Sequence, residues 1–360
     1  MLDVVFVIWA GAAFGGMERR YVRLADFLSK EHPEKRVSIL ARAQSVQTVE
    51  SFLSPDSHVK VVPYGIGERK IGRFLSAFVD IIGLIFSIFG SRSAHIHICG
   101  NPGPVSTMVG LSILGRKSKS ISMVDLTFGL DVNIVKVLYA KVSTRIYARI
   151  DCLSQETKRI LKEIVGVEYD RKMRVAPCSF TDFSKIYSER PRDIDIAMIA
   201  RFVEHKGFDL LESIEDEVQY LNVHICGFGP LKLNFRHFSI YRTKDPLSVL
   251  NRSKVFLSLQ ATNNYPSQST LEAMASGCAI IATDVGETRK FLDEECAILI
   301  PYNADALRSA IEQLMKDSNL RHRLGQRAKE RVLQEHTIER YAHYFMDEIL
   351  DLNHPHNHRS

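Results

Sequence analysis

The sequence predicts an α/β protein made of two doubly wound domains, and three observations lead there. At 360 residues the chain is about twice an average domain, long enough to bury two sizeable cores. Short apolar runs that read as strands alternate with helical patterns, which implies parallel sheets with helices on both faces. The alternation breaks once, where Ala176-Pro-Cys-Ser-Phe-Thr-Asp-Phe183 leads into a charged run reaching Arg192. A linker placed there gives domains 1–183 and 184–336, followed by a terminal helix and polar tail over 337–360.

In the first half, strands are expected at 2–9, 37–41, 59–63, 95–99, 119–124, 151–153 and 173–176, separated by helices such as 16–30 and 132–149. Strand one runs into Gly11-Ala-Ala-Phe-Gly15-Gly16-Met-Glu18. This is not GxGxxG, which argues against a dinucleotide. The paired glycines, Gly15 and Gly16, permit positive φ and close approach to a ligand, or simply form a tight βα turn. Residues 73–90 are apolar nearly all round but carry Asp80, and the run is shorter than the roughly 20 residues that span a bilayer. It reads as a helix packed on the sheet, with a face that could touch lipid. His95 and His97 fall on the same face of the fourth strand. They fit a core or strand-end position, or a place beside substrate.

In the second half, strands are expected at 194–199, 221–226, 254–259, 279–282 and 297–300, with helices at 303–316, 318–334 and 338–350. Arg201 and Lys206 follow the first of these strands in Arg201-Phe-Val-Glu-His-Lys206-Gly207. Cations at the carboxyl end of a strand lie where open α/β sheets bind ligands. Arginine can fork onto two phosphate oxygens and lysine adds a point charge; the alternative is a solvated turn. Further on, a loop with a proline gives way to a short helix in Asn264-Tyr-Pro-Ser-Gln-Ser-Thr-Leu-Glu-Ala-Met-Ala-Ser-Gly277. Ser267 or Ser269 could cap that helix, whose N-terminus offers free N–H groups and partial positive charge to a phosphate. Glu272, one turn further in, is placed to accept hydrogen bonds from vicinal hydroxyls such as those of a ribose. Phosphate and ribose together indicate a nucleotide.

The Arg201-x4-Lys206-Gly207 turn, Cys226-Gly-Phe-Gly-Pro230, and Leu271-Glu-Ala-Met-Ala-Ser-Gly277 followed by Ile280-Ile-Ala-Thr-Asp-Val-Gly286 resemble the nucleotide-sugar half of family 4 glycosyltransferases. The resemblance implies the GT-B fold, two Rossmann-like domains facing across a cleft, with retention of anomeric configuration and no metal. It implies a donor site of Gly15, Gly16, Arg201, Lys206, Gly227, Ser269, Thr270, Leu271 and Glu272, in which Arg201 and Lys206 hold the diphosphate and Glu272 the ribose. Relatives usually carry a histidine where this chain has Val124, and a Glu-x7-Glu pair where it has Asn264 and Glu272. Asp125, beside the absent histidine, becomes a candidate acceptor base or hydroxyl ligand. An amide at Asn264 can still bond sugar hydroxyls but brings no charge to an oxocarbenium-like transition state. Arg201, Lys206, Asp125 and Asn264 are therefore the catalytic candidates, and Glu18, His97 and Asn101 the acceptor-side ones. The resemblance implies a UDP- or GDP-sugar as co-substrate, no other cofactor, and a glycan or lipid-linked glycan of bacterial cell-surface polysaccharide synthesis as acceptor.

Composition excludes other classes. With 47 basic and 42 acidic residues the net charge is only +5, and no Arg/Lys stripe interleaved with aromatics points to nucleic acid. Residues 60–70 and Arg116-Lys-Ser-Lys119 are locally basic, as a solvated face or a membrane-surface contact would be. Six scattered cysteines without CxxC or metal spacing read as reduced, buried thiols of a cytosolic protein. The N-terminus lacks a basic start and a cleavage site and reads as a strand, not a signal peptide. The histidines of 354–358 read as an untethered polar tail. Two other function classes fit the departures at Val124 and Asn264: a catalytically silent subunit that binds a nucleotide sugar or a partner, and a sugar-nucleotide 2-epimerase.

Overall fold

The computed structural model describes residues 3–9, 15–65, 73–90, 94–100, 103–114, 119–125, 133–179, 191–243, 245–263, 265 and 267–350, with backbone alone for 73–76, 90, 94 and 119–125. The chain divides into two compact units, one of 1–177 with 338–360 and one of 178–337. The division thus falls at Pro177/Cys178 and Thr337/Ile338, rather than at 183/184 and 336/337. Asn101, Asn264 and the histidine tail lie outside the described residues.

In the first unit β1 (Asp3–Ile8), β2 (Val37–Arg42), β3 (Lys60–Tyr64), β4 (Ala94–Cys99), β5 (Lys119–Asp125), β6 (Arg149–Cys152) and β7 (Met173–Val175) form one sheet in the order β3-β2-β1-β4-β5-β6-β7. Every pairing is parallel. A parallel sheet is covered on both faces, so its inner strands are apolar throughout. β1 shows this: Val4, Phe6 and Ile8 enter one core, while Val5 and Val7 enter the other.

The helix Arg73–Gly90 is apolar by composition but two-faced by burial. Leu84 and Ile88 join the core, and Asp80 is buried where it accepts a hydrogen bond from Arg42 Nε at 2.9 Å. Phe78, Ile82 and Phe86 lie on the outer face, open to solvent. Among the described residues no helix is long and apolar enough to cross a membrane.

The terminal helix Ile338–Tyr344 continues as a π-helical turn, Phe345–Ile349, and belongs to the first unit. Ile338, Tyr341 and Phe345 share a core with Val4 and Phe6, and the rings of Phe345 and Phe6 stack at 5.4 Å. A polar clasp reinforces this packing. Asp151 is wholly buried on β6 and accepts hydrogen bonds from Tyr21 at 2.8 Å, Tyr341 at 2.6 Å and Tyr344 at 2.8 Å. Burial pushes its carboxyl up, and the three phenols draw it back down.

In the second unit β8 (Ile194–Arg201), β9 (Val223–Phe228), β10 (Ser239–Tyr241), β11 (Ser253–Ser258), β12 (Ala279–Thr283) and β13 (Ala297–Ile300) form a parallel sheet in the order β10-β9-β8-β11-β12-β13. The chain winds outward from β8 on one side and returns through β11 on the other. The β8/β11 boundary is therefore the topological switch point, and open α/β sheets bind ligands at the carboxyl ends of the strands beside such a point. All six cysteines, each within the described residues, are buried and none forms a disulfide.

Candidate functional site

Arg201 is the last residue of β8 and is exposed at that switch point. The chain then turns through Glu204–Lys206 to Gly207, which takes φ of 74°. A Cβ at Gly207 would also run into the Leu259 carbonyl oxygen, so glycine is required there by both conformation and space. That contact brings the turn against the end of β11, and the Ala261 amide donates to His205 O at 3.1 Å.

Lys206 is thereby carried inward. It is 9% exposed, and its ammonium donates to Gln260 Oε1 at 2.9 Å. Gln260 is held in turn by Thr283 at the end of β12. The Gln260 amide donates to Thr283 Oγ1 at 2.8 Å, and that hydroxyl donates to Gln260 O at 2.7 Å. Burial, then the nearby Arg201 charge, push the Lys206 ammonium down to about 8. An anion beside it would offset both effects.

The helix Gln268–Ala275 starts beside the same strand end. Ser267 is its N-cap but makes no side-chain cap. Instead Thr270 Oγ1 lies 2.9 Å from Ser267 Oγ and 2.9 Å from Ser258 Oγ, the last residue of β11. Ser269 is half-buried, 3.5 Å from Ser267 Oγ. Leu271 N–H is committed to Ser267 O at 3.1 Å and its side chain is core, so the backbone amides ahead of it, at 268–270, are the ones directed out of the helix end. Glu272 is 1% exposed, and burial strengthens any hydrogen bond donated to its carboxylate. Ser258 and Gln260, two residues apart, thus anchor the helix start and the buried lysine at one strand end.

The remaining expected residues fall in both units. Gly227 is explained by packing, since a Cβ there would collide with the Ala200 carbonyl oxygen. In the first unit Gly15 has φ of −102°, an ordinary extended conformation, so the expected left-handed turn is not used there. Gly16 opens the helix Gly16–Glu31. Glu18 Oε2, expected on the acceptor side, accepts from the Gly15 amide at 2.9 Å and so caps the helix. His97 corrects another acceptor-side expectation. It is 0% exposed, with its ring 5.0 Å from Phe345 and 4.9 Å from Tyr21, and burial holds its pKa well below the usual range. His95 is likewise core, pushed down to about 3 by burial and the Arg149 charge. Asp125 ends β5 opposite Cys152, with Val124 one residue before it, both described in backbone only.

Gln260 and Thr283 were not among the sequence candidates. Their signal was a polar residue directly after each buried strand, at the end where ligands bind.

Two doubly wound domains, the second with cations and a helix start at its switch point, define a protein of the GT-B fold. Comparison with known proteins agrees. Residues 208–347 match the family described as glycosyl transferase-like, which is less than half of the chain. No curated protein matches by sequence. Among solved structures, HepE of Anabaena in complex with UDP-glucose is similar with a TM-score of 0.76 at 11% identity, over 98% of this chain and 100% of that one. Sucrose-phosphate synthase from Thermosynechococcus elongatus has a TM-score of 0.74 at 17% identity, over 98% and 99% of the two chains. TarM of S. aureus, crystallised with fondaparinux, alpha-GlcNAc-glycerol and UDP, has a TM-score of 0.73 at 12% identity, over 98% and 99%. At these identities the likeness is one of fold.

Proposed function

We propose that this chain is a retaining, metal-independent glycosyltransferase of the family 4 kind, moving a sugar from a nucleoside-diphosphate donor to a hydroxyl of a glycan or lipid-linked glycan. The observation that carries the reading is the buried Lys206, held by Gln260 at the strand end that also anchors the start of the helix Gln268–Ala275. A buried cation, an exposed arginine and outward-directed helix amides suit a diphosphate. Buried Glu272, in the same helix, suits the ribose. UDP in the HepE and TarM crystals makes UDP-sugars the first donors to try, ahead of GDP-sugars.

The chemistry we assign is front-face substitution. The bond from the anomeric carbon to the β-phosphate oxygen breaks, and its electron pair stays on the diphosphate, where Arg201 and Lys206 stabilise the charge. The acceptor oxygen bonds to the anomeric carbon on the same face, and its proton passes to a phosphate oxygen. Two fixed cations do what a divalent ion does in other transferases. A lipid-linked acceptor in bacterial polysaccharide synthesis would place the work at the inner face of a membrane.

The test is titration calorimetry with UDP and UDP-sugars, followed by transfer assays in EDTA with NMR of the product's anomeric proton. UDP binding and EDTA-resistant transfer with retention are expected. Strict dependence on Mg²⁺ or Mn²⁺, or an inverted product, would overturn the mechanism. Deuterium incorporation at donor C2 without transfer would instead make the chain a 2-epimerase, and binding without turnover a silent subunit.

A further inference from the structure

Three neighbouring helices lie on one face of the first sheet, Arg73–Gly90, Pro104–Ser112 and Ile134–Ile146, and a fourth, Gln155–Val165, lies beside the last of them. The first packs against the second and the second against the third. All three face inward through one core, using Leu84 and Ile88, Val109 and Ile113, and Ala140. Their outward sides therefore form a single layer, and that layer is unusually apolar. Phe78, Ile82 and Phe86 make a stripe at i, i+4 and i+8, with Phe86 70% exposed. Leu111 and Leu114 continue it, and Ile134 (80% exposed) and Leu138 extend it onto the third helix. Elsewhere among the described residues, the large exposed hydrophobics are Val167, Tyr220 and Tyr302. A soluble surface rarely gathers so many in one place without a partner.

Charge identifies the partner. On the third helix Ile134, Leu138, Lys141 and Arg145 follow one another down the same exposed stripe, so an apolar end passes into a cationic end, and Lys136 is exposed beside it. The one carboxylate in the three helices is Asp80, which is buried against Arg42. Apolar side chains backed by lysine and arginine, with no exposed acid in these three helices, match a bilayer surface carrying anionic headgroups. A second copy of the chain matches less well. A two-fold contact through these three helices would set Lys141 and Arg145 against their own counterparts with no carboxylate on the same helices to separate them. None of the described helices crosses a bilayer, so the contact is with its surface.

We infer that this three-helix face of the first domain docks on an anionic lipid surface. Phe86, Leu114, Ile134 and Leu138 enter the headgroup region, and Lys136, Lys141 and Arg145 bond the phosphates. The inference goes beyond the transferase reading and does not rest on it, since vesicle binding is measured without donor or acceptor.

The test is flotation of the full chain with phosphatidylglycerol–phosphatidylcholine vesicles and with phosphatidylcholine vesicles alone. Binding to the anionic vesicles is expected, at least about tenfold tighter than to the neutral ones and weakened by salt. Lys141→Glu with Arg145→Glu, and separately Phe86→Glu with Leu138→Glu, should each lower it by about tenfold or more. Melting temperature and UDP affinity should stay at the parent values in both. Phe86→Ser and Lys141→Gln serve as milder versions should the acidic ones fail to fold. Absence of binding to anionic vesicles, or binding that these changes leave intact, overturns the proposal. A concentration-dependent dimer that Phe86→Ser abolishes, without vesicle binding, overturns it in favour of a self-association face.

Discussion

The two domains share a plan in which the first strand lies inside a parallel sheet, yet they finish that strand in opposite ways. In the first domain, the helix after β1 starts with an acid: Glu18 caps the Gly15 amide and brings negative charge to the positive helix end. In the second, β8 ends in Arg201 and runs into Lys206, while the start of the helix Gln268–Ala275 is left without a side-chain cap. Strand order determines where a ligand can enter, and a few residues after the strand determine the sign of charge it must carry. The contrast extends to the outer surfaces, since most of the large exposed hydrophobics belong to the first domain. On the readings proposed above, one domain would take a soluble anion and the other an extended surface.

The sharpest way to break this contrast is to remove the cations. Arg201→Ala should weaken UDP binding about 10- to 100-fold, because a charge-assisted hydrogen bond contributes about 1.5–3 kcal/mol. Lys206→Ala should cost a similar factor, and unchanged affinity in calorimetry would take either residue out of the site.

Glycines give the next largest difference. Gly227→Ala should cost about 1–3 kcal/mol in urea unfolding, because its methyl meets the fixed Ala200 carbonyl. Gly15→Ala should cost less than about 1 kcal/mol, since φ is ordinary and the methyl meets only the movable Glu18 Oε2, at 3.0 Å. Equal losses would mean that Gly15 is as tightly enclosed as Gly227.

A pH series sharpens the comparison further. Lys206 is cationic below about 8, so UDP affinity should be flat through neutrality and fall as pH rises past that value. Gln260→Leu removes the oxygen that favours the charged lysine. The decline should then begin at lower pH, with affinity at pH 7 reduced by up to about tenfold. The smallest effect belongs to Glu18→Gln, about 0.5–1 kcal/mol of stability from the weakened cap. A concurrent change in UDP affinity would show that the first domain's turn also meets the donor.

Much of this was legible in the sequence for a physical reason: inner parallel strands must be apolar on both faces, so they stand out as short runs between helical patterns. β10 escaped because three residues at a sheet edge, Ser239–Tyr241, make too short a run. His95 and His97 were correctly assigned to one face of β4, but alternation cannot say that this face meets Phe345 from the far end of the chain. Residues 73–90 offered no polar stripe to mark an outside, so which phenylalanines are uncovered was not written in the pattern. At the candidate site, Arg201 and Lys206 stand out in the sequence as cations directly after a buried strand, where open sheets bind ligands. Gln260 and Thr283 do not, since an amide and a hydroxyl serve anywhere.

The clasp at Asp151 bears on how the protein is made. Three tyrosines close over that carboxylate, and two of them, Tyr341 and Tyr344, are synthesised only after the whole of 178–337. A nascent chain that has emerged through the second domain still lacks the lid of its first. Phe6 and Tyr21 then face water, and Asp151 has two of its three phenol donors missing. Folding on the ribosome would consequently favour the domain encoded later, and the domain encoded first would reach its native core last, reversing the usual vectorial order.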